Sequence, residues 1–174
     1  MIQQSWVDSP WGRIQLLGQG EALIALRFSC QSGFIAKNKE RIEEKETPVL
    51  KAAKEWLESY AKGAAPDQNF LCLSPEGTPF EQAVWKVLVT IPYGQTESYQ
   101  EVGEQVCKAL GKERMSAQAI GQAVSHNPIS LIIPCHRVIG KNGALVGYDG
   151  GLDLKRALLA FEKRNLAVQQ SVVT

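Results

Sequence analysis

Leu131-Ile132-Ile133-Pro134-Cys135-His136-Arg137 is the stretch from which the rest of the chain is read. Three consecutive apolar residues, two of them β-branched, favour a short extended segment through the interior, and Pro134 then sets the chain direction by locking its own φ. Cys135 therefore sits where a buried run meets a polar turn. A thiol packed only among apolar neighbours has a raised pKa and is inert, whereas one beside a base or a positive charge has a lowered pKa and reacts. His136 and Arg137 follow it directly. Cys135 is either a buried structural residue or a nucleophile, and Pro-Cys-His-Arg at the end of an apolar run favours the second.

Size and charge bound the remaining choices. A chain of 174 residues can bury a sizeable core, as one domain or two small ones. With 19 Lys and Arg against 18 Asp and Glu, the net charge is +1, so a nucleic-acid partner would have to be gripped locally. The four cysteines, Cys30, Cys72, Cys107 and Cys135, show neither Cys-x-x-Cys nor Cys/His clustering, which argues against a disulfide framework and a zinc site. No basic segment followed by a long apolar one opens the sequence, and no stretch approaches a membrane span, so a cytoplasmic protein is expected.

Upstream, the pattern is that of an antiparallel sheet: strands near Gln3–Val7, Arg13–Leu17 and Ala22–Phe28, separated by Ser9-Pro10-Trp11-Gly12 and Gly18-Gln19-Gly20. Lys37–Glu46 reads as a solvated charged loop or helix face. Thr47-Pro48 opens a helix carrying Val49, Leu50, Ala53, Trp56, Leu57 and Tyr60 at helical spacing, ending near Gly63. Phe70–Leu73 is a further strand candidate, and Cys30 and Cys72 read as core or near-core. Ser74-Pro75-Glu76-Gly77 is the expected linker. Beyond it, Thr78-Pro79-Phe80-Glu81 and Ser98-Tyr99-Gln100-Glu101 are capping boxes that open two helices, the second ended by Gly111.

Ser116 caps a third helix whose Ala117, Ala119, Gly121 and Ala123 leave little side-chain bulk. Two readings stand: tight helix–helix packing, which periodicity favours, and docking into a narrow groove of DNA. After the Cys135 stretch, Gly140-Lys141-Asn142-Gly143 reads as a hairpin turn, and Gly147-Tyr148-Asp149-Gly150-Gly151 as a flexible loop without phosphate-binding spacing. Asp153 is expected to cap a last helix with an apolar stripe of Leu154, Ala157, Leu158 and Phe161, closed by Glu162, with residues 165–174 a frayed tail.

Pro134-Cys135-His136-Arg137-Val138-Ile139-Gly140, with Asn127-Pro128 before it and Gly147-Tyr148, Gly150-Gly151-Leu152 and Glu162 after it, closely resembles the O6-alkylguanine-DNA alkyltransferases. Thr78-Pro79-Phe80, Trp85, Ile91-Pro92-Tyr93-Gly94 and Ser98-Tyr99 match the same family, so the likeness runs from Thr78 to Glu162. It implies an α+β protein. A small N-terminal α/β domain with an antiparallel sheet, ribonuclease H-like, would span residues 1–73, and a mainly helical C-terminal domain with a helix-turn-helix residues 78–164.

The implied reaction moves an alkyl group from guanine O6, or less readily thymine O4, to Cys135 in one irreversible displacement. No cofactor or metal is implied, the partner is double-stranded DNA holding the damaged base, and the protein is expected to act as a monomer. By resemblance, His136 removes the thiol proton through a bridging water and Glu162 orients the imidazole, the logic of a triad with a water inserted. Tyr99 is the implied donor to the guanine ring, backbone amides near Tyr148 and Asp149 those for O6, and Pro134 a further pocket residue. Asn127 would tie the recognition helix to the cysteine turn, and Arg137 would pair with an acidic side chain.

The base must leave the duplex stack to reach a buried thiol, at about a few kcal/mol. Ala117, Gln118, Ala119, Gly121 and Gln122 form the implied DNA-binding face. Gln118 stands where many members insert an arginine, and it lacks that charge and planar tip. Gln122 stands where many have glycine, and Asp149 replaces a small residue beside the alkyl pocket. Two other classes remain open at this point. A non-catalytic damage sensor would keep the DNA-binding layout but not the cysteine, and a general thiol enzyme would turn over repeatedly without needing the alanine-rich helix.

Overall fold

In the computed structural model, which describes residues 1–31 and 42–173, a four-stranded sheet of order β3-β2-β1-β4 forms from β1 (Ile2–Ser9), β2 (Gly12–Gln19), β3 (Ala22–Phe28) and β4 (Ile42–Glu44). The β1–β2 hairpin closes at Ser9 and Gly12, where Gly12 takes φ +103° and Ser9 Oγ accepts from Trp11 N at 3.1 Å. β2 is central, and Ile14 to Gly18 are all buried rather than alternating, as expected of a strand covered on both faces. The α-helix α1 (Pro48–Ala61) lies on it through Leu50, Ala53, Leu57 and Tyr60, none of them more than 4% exposed. It approaches closely at Gly18, where a Cβ would sit 3.2 Å from Val49.

Several expectations for this half are corrected. The charged stretch lies outside the described residues as far as Arg41, but Ile42–Glu44 is a strand, parallel to β1 and carrying exposed glutamates on the sheet edge. Phe70–Leu73 is not a strand: Gln68–Phe70 is a 3₁₀ turn with Phe70 87% exposed, and only Leu73 bridges to Leu23. Cys30 and Cys72 are exposed, not core. Cys30 falls in the turn after Phe28, whose amide is taken by the Gln31 side chain, while Cys72 contributes its carbonyl to Leu23 N at 2.8 Å.

The chain divides into two compact units, Met1–Glu76 with Pro128–Ile132, and Gly77–Asn127 with Ile133–Thr174. In the first, Ile129 bridges to Leu26 of β3, and Leu26 N donates to Pro128 O at 3.0 Å. The apolar run after it is buried, as its composition demands, but it is a turn and not an extended segment. Leu131 adopts φ +72° and Ile132 N reaches back to Ser130 O at 2.9 Å, the bond pattern of a γ-turn with positive φ, rare and strained for a branched residue.

The second unit holds α2 (Pro79–Leu88), β5 (Glu97–Ser98), α3 (Tyr99–Leu110), α4 (Ala117–Ser125), β6 (Val138–Ile139) and α5 (Leu152–Val173). Both capping boxes form, at Thr78 with Glu81 and at Ser98 with Glu101, and Gly111 ends α3 at φ +65°. Trp85 is buried between the helices and its indole donates to Ala123 O at 2.8 Å. Residues 140–143 do turn, but no hairpin follows: β6 pairs in parallel with β5 instead.

The last helix differs most from expectation. Asp153 lies inside its first turn and pairs with Arg156 instead of capping, and Glu162 is a mid-helix residue. What reads as a tail is helical to Val173. Asn165 and Leu166 hold it: Asn165 Nδ2 donates to Tyr93 Oη at 3.3 Å, and Leu166 fills the space above Gly94, where a Cβ would come within 2.6 Å. Gly94 also takes φ +76°, so any side chain there meets both strain and a clash.

Candidate active site

Two consecutive turns place Cys135. Pro134, at φ −82° and ψ 65°, is the centre of an inverse γ-turn in which Cys135 N donates to Ile133 O at 2.8 Å. A 3₁₀ turn, Cys135–Arg137, follows at once, and its three residues are all buried. The proline ring supplies the φ this turn needs without further ordering cost, so the sulfur's position is set by backbone geometry. Asn127, just past the end of α4, donates Nδ2 to Ile133 O at 2.7 Å, which ties the helix end to the residue on which that turn begins.

His136 and Glu162 face each other in the interior, both 0% exposed, with Nε2 and Oε2 2.5 Å apart. The same carboxylate takes Arg137 Nε at 2.8 Å, Arg137 Nη2 at 3.2 Å and Gly94 N at 3.0 Å. Arg137 Nη1 reaches on to Ile91 O at 2.8 Å. Burial opposes ionisation of Glu162, but the imidazole and the guanidinium outweigh it and hold the carboxyl well below its usual range. For His136, burial is the leading effect and lowers the pKa against the charge and hydrogen bond of Glu162, which would raise it, and the charges of Arg137 and Lys155 add to the lowering.

A neutral imidazole against an ionised carboxylate must carry its proton on Nε2. Nδ1 is then the basic nitrogen, and it is buried with no protein hydrogen-bond partner. The thiol is not acidic at rest, contrary to the expectation of a lowered pKa. Burial raises it, opposed by the Asn127 side chain and the Lys155 ammonium and assisted by the Asp149 carboxylate. Cys135 keeps 5% of its surface exposed.

Tyr99, at the first position of α3, donates its hydroxyl to Val146 O at 3.0 Å and lies 3.3 Å from Gly147 O. Burial raises its pKa, so it stays a proton donor. Pro134 is buried, Tyr148 half-buried and Asp149 exposed. A cavity of about 830 Å³ opens beside Tyr99, lined also by Gly103, Cys107, Lys108, Arg114 and Ala117; Cys135 is not among its lining residues.

On α4, Ala117, Gln118 and Gln122 are exposed and Ala119 and Gly121 half-buried, whereas Ile120, Ala123 and Val124 face the core. A Cβ at Gly121 would meet nothing within 4 Å. Tight packing inside the chain therefore accounts for Ala123, under Trp85, but not for the bare outer face.

Lys155 is the residue the sequence reading missed. It is 0% exposed, and its Nζ donates to Val146 O at 3.0 Å. The expected stripe holds in part: Leu158 is buried and Leu154 and Phe161 half-buried, but Ala157 is exposed, and the buried face joins Lys155 and Glu162 to Leu158 at i, i+3 and i+7. A lysine at helical spacing from an inward glutamate was the available signal.

Two family models match the chain: "6-O-methylguanine DNA methyltransferase, ribonuclease-like domain" over residues 2–74, and "6-O-methylguanine DNA methyltransferase, DNA binding domain" over residues 79–164. A Mycobacterium tuberculosis methylated-DNA–protein-cysteine methyltransferase is 42% identical over 166 residues, covering 94% of this chain and 93% of that protein. The crystal structure of the Mycobacterium tuberculosis O6-methylguanine methyltransferase aligns with TM-score 0.79 at 40% identity, over 95% of this chain and 94% of its own. A structure of Mycobacterium tuberculosis OGT in complex with DNA aligns with TM-score 0.78 at 39% identity, over 94% and 93%.

Fold and site are those of a methyltransferase class built from a ribonuclease-like unit and a helical unit holding the cysteine, imidazole and carboxylate. More narrowly, the chain belongs to the 6-O-methylguanine DNA methyltransferase family, the methylated-DNA–protein-cysteine methyltransferases.

Proposed function

We propose that this protein repairs DNA by transferring an alkyl group from O6-alkylguanine, and less readily from O4-alkylthymine, to Cys135. The transfer is stoichiometric and irreversible. One observation carries the reading: a buried cysteine is followed by an imidazole whose Nε2 is fixed on an ionised carboxylate and whose Nδ1 has no protein partner. That leaves Nδ1 as the basic nitrogen of the imidazole, in the tautomer a general base requires.

The thiol proton passes through a water to His136 Nδ1, the sulfur attacks the alkyl carbon, and the carbon–O6 bond breaks. The imidazolium formed is stabilised by Glu162, and the guanine leaves with negative charge that needs a proton or hydrogen bonds. Tyr99 supplies one to the ring by turning its hydroxyl from Val146 O, and amides near Tyr148 and Asp149 face O6.

DNA enters by α4. Its outer face is small and open where a Cβ at Gly121 meets nothing, which suits close approach to a minor groove. Lys108, Lys112 and Arg114 beside the Tyr99 cavity give the local positive charge that a net charge of +1 requires. The damaged nucleotide rotates out of the stack and Gln118 enters the space it leaves.

The chain acts as a monomer, since Cys135, His136, Glu162, Asn127 and Tyr99 all come from one unit of one chain. A nucleophilic thiol, Cys135, suits a reducing compartment, the cytoplasm. Among the described residues no helix is long and apolar enough to cross a membrane.

Mixing the protein with duplex DNA bearing O6-methylguanine and measuring its intact mass tests the reading. One methyl on Cys135, at one equivalent and no more, is expected, and Cys135→Ser should abolish it while sparing DNA binding. Tight binding with unchanged mass would identify a damage sensor instead, and turnover of another substrate without modification a thiol hydrolase.

A further inference from the structure

We propose that Asn165 and Leu166, one helical turn past Glu162 on α5, are positioning residues for the transfer: they seat the Ile91–Gly94 turn that fixes where the Glu162 carboxylate meets His136. The inference deepens the alkyl-transfer reading and rests on it. The family pattern ends at Glu162, so neither residue is supplied by it, and both fall in what reads from sequence as a tail.

Glu162, Asn165 and Leu166 stand at i, i+3 and i+4, on one face of the helix. All three meet the same two residues. Gly94 N donates to Glu162 Oε1 at 3.0 Å, Asn165 Nδ2 donates to Tyr93 Oη at 3.3 Å, and Leu166 Cδ2 lies 2.6 Å from the place a Gly94 Cβ would take. The Tyr93 ring also receives the Arg137 guanidinium, 5.6 Å from its centroid.

The way the carboxylate is held makes this turn matter to the base. Arg137 takes both oxygens of Glu162, Nε on Oε1 at 2.8 Å and Nη2 on Oε2 at 3.2 Å, and such a fork fixes the two side chains to each other. The fork is tied to the main chain by Arg137 Nη1 on Ile91 O at 2.8 Å and by Gly94 N on Glu162 Oε1. Both anchors lie in the one turn, residues 91–94. Where that turn sits, the fork sits, and with it Oε2, the atom that holds His136 Nε2 at 2.5 Å and leaves Nδ1 basic. The helix thus supplies both the carboxylate and, one turn on, the seat of the turn that orients it.

The test uses the full chain. Leu166→Ala removes the group over Gly94, Leu166→Met refills it, and Asn165→Ala releases Tyr93. Each is measured for single-turnover methyl transfer from an O6-methylguanine duplex across about pH 6 to 10, for iodoacetamide labelling of Cys135 over the same range, and for duplex binding. Since a misplacement of about 1 Å can cost about a hundredfold, Leu166→Ala should slow transfer at neutral pH by about tenfold or more and Asn165→Ala by about threefold, while Met should recover most of the rate. The deficit should close toward high pH, where solvent ionises the thiol without a base, and duplex binding should not change. Combined with Glu162→Gln, Leu166→Ala should slow transfer no further, because the carboxylate it orients is gone, while still lowering the melting temperature.

A Leu166→Ala protein that melts earlier yet transfers normally at neutral pH is merely loosened, and that result overturns the inference. So does a deficit that is the same at every pH and adds in full to that of Glu162→Gln. If Leu166→Ala does not melt cooperatively, Asn165→Ala decides on the same criteria. Failure of the unmodified protein to take a methyl from DNA overturns the function instead. Labelling of Cys135 needs no DNA: a labelling deficit confined to neutral pH in Leu166→Ala still supports the positioning role, and its absence overturns it.

Discussion

Glu162→Gln separates a relay from a strut. The carboxylate accepts at Oε1 from Gly94 N and Arg137 Nε, and at Oε2 from His136 Nε2 and Arg137 Nη2. A glutamine has one oxygen to offer. With the oxygen at the Oε1 position it satisfies the backbone amide and Arg137 Nε, and its NH₂ meets one unavoidable donor, Arg137 Nη2. The opposite orientation sets the NH₂ against two, so the first wins. His136 Nε2 must then accept, which moves the imidazole proton to Nδ1 and removes the lone pair from the base. In a Ser-His-Asp triad the same tautomer error costs about 10⁴ in rate, and a water-bridged relay is expected to lose about 10² to 10⁴. Stripping a buried Arg137 of its counter-charge should cost about 3–5 kcal/mol, a fall in melting temperature of about 10 °C for a chain of this size. Single-turnover transfer and a thermal melt measure the two separately. Raising the pH should restore transfer in the variant, because a thiol ionised by solvent needs no base. A variant that loses the stability but transfers within threefold of normal at pH 7 would show that Glu162 only holds Arg137, and the relay would be wrong. The acid limb gives a second check. Since the folded pKa of Glu162 is depressed, its stabilisation is complete above the unfolded carboxylate value near 4 and is lost as pH falls below it. In Glu162→Gln that part of the acid dependence should vanish from the melting curve.

Asn127→Ala leaves Ile133 O without its 2.7 Å donor and the thiol without a neighbour that favours its ionisation. A loss of about 1–3 kcal/mol in urea unfolding is expected, together with an upward shift of the Cys135 alkylation curve; a shift without destabilisation would remove the structural part of its role. Gln118→Arg should speed repair in duplexes more than in single strands, and an equal effect on both would show that Gln118 does not act in extrusion. Asp149→Asn should move the Cys135 titration to lower pH, because the carboxylate opposes thiolate formation. The side chain is exposed, so the shift should shrink between low and high salt, and one that ignores salt would place the carboxylate's effect elsewhere.

Local chemistry explains what was legible from residues alone. Thr78-Pro79-Phe80-Glu81 and Ser98-Tyr99-Gln100-Glu101 carry their hydrogen bonds within four residues, so sequence suffices to place those helix starts. Glu162 was reachable only through the family pattern, and its second partner, Arg137, stands 25 residues from it. The misses share one cause. Leu131–Ile133 has the composition of a strand, but its backbone–backbone hydrogen bonds, Ile132 N to Ser130 O and Cys135 N to Ile133 O, span two residues, so β-branching did not decide the backbone. On α5 the apolar residues suggested one face, while the helix also turns Lys155 and Glu162 inward, Glu162 toward the buried His136–Arg137 pair and Lys155 toward Val146 O. Polar residues that face inward for chemistry invert the hydrophobic pattern, and that is why the working face of this helix was the one misread.

The same inversion bears on when the thiol reacts. At rest the sulfur is nearly closed off, burial holds its proton on, and Tyr99 is engaged with a carbonyl. In the proposed reaction the arriving base acts on two of these: its ring would draw the Tyr99 hydroxyl away, and its alkyl carbon would give the electrons of the sulfur a destination as the proton reaches His136 Nδ1. Neither step gains much without the other, because a thiolate formed early would sit buried, with the Asn127 side chain, Lys155 and a backbone hydrogen bond to offset its charge. A site organised this way resists indiscriminate alkylation through burial rather than through low intrinsic nucleophilicity, which suits a cysteine that can be used only once.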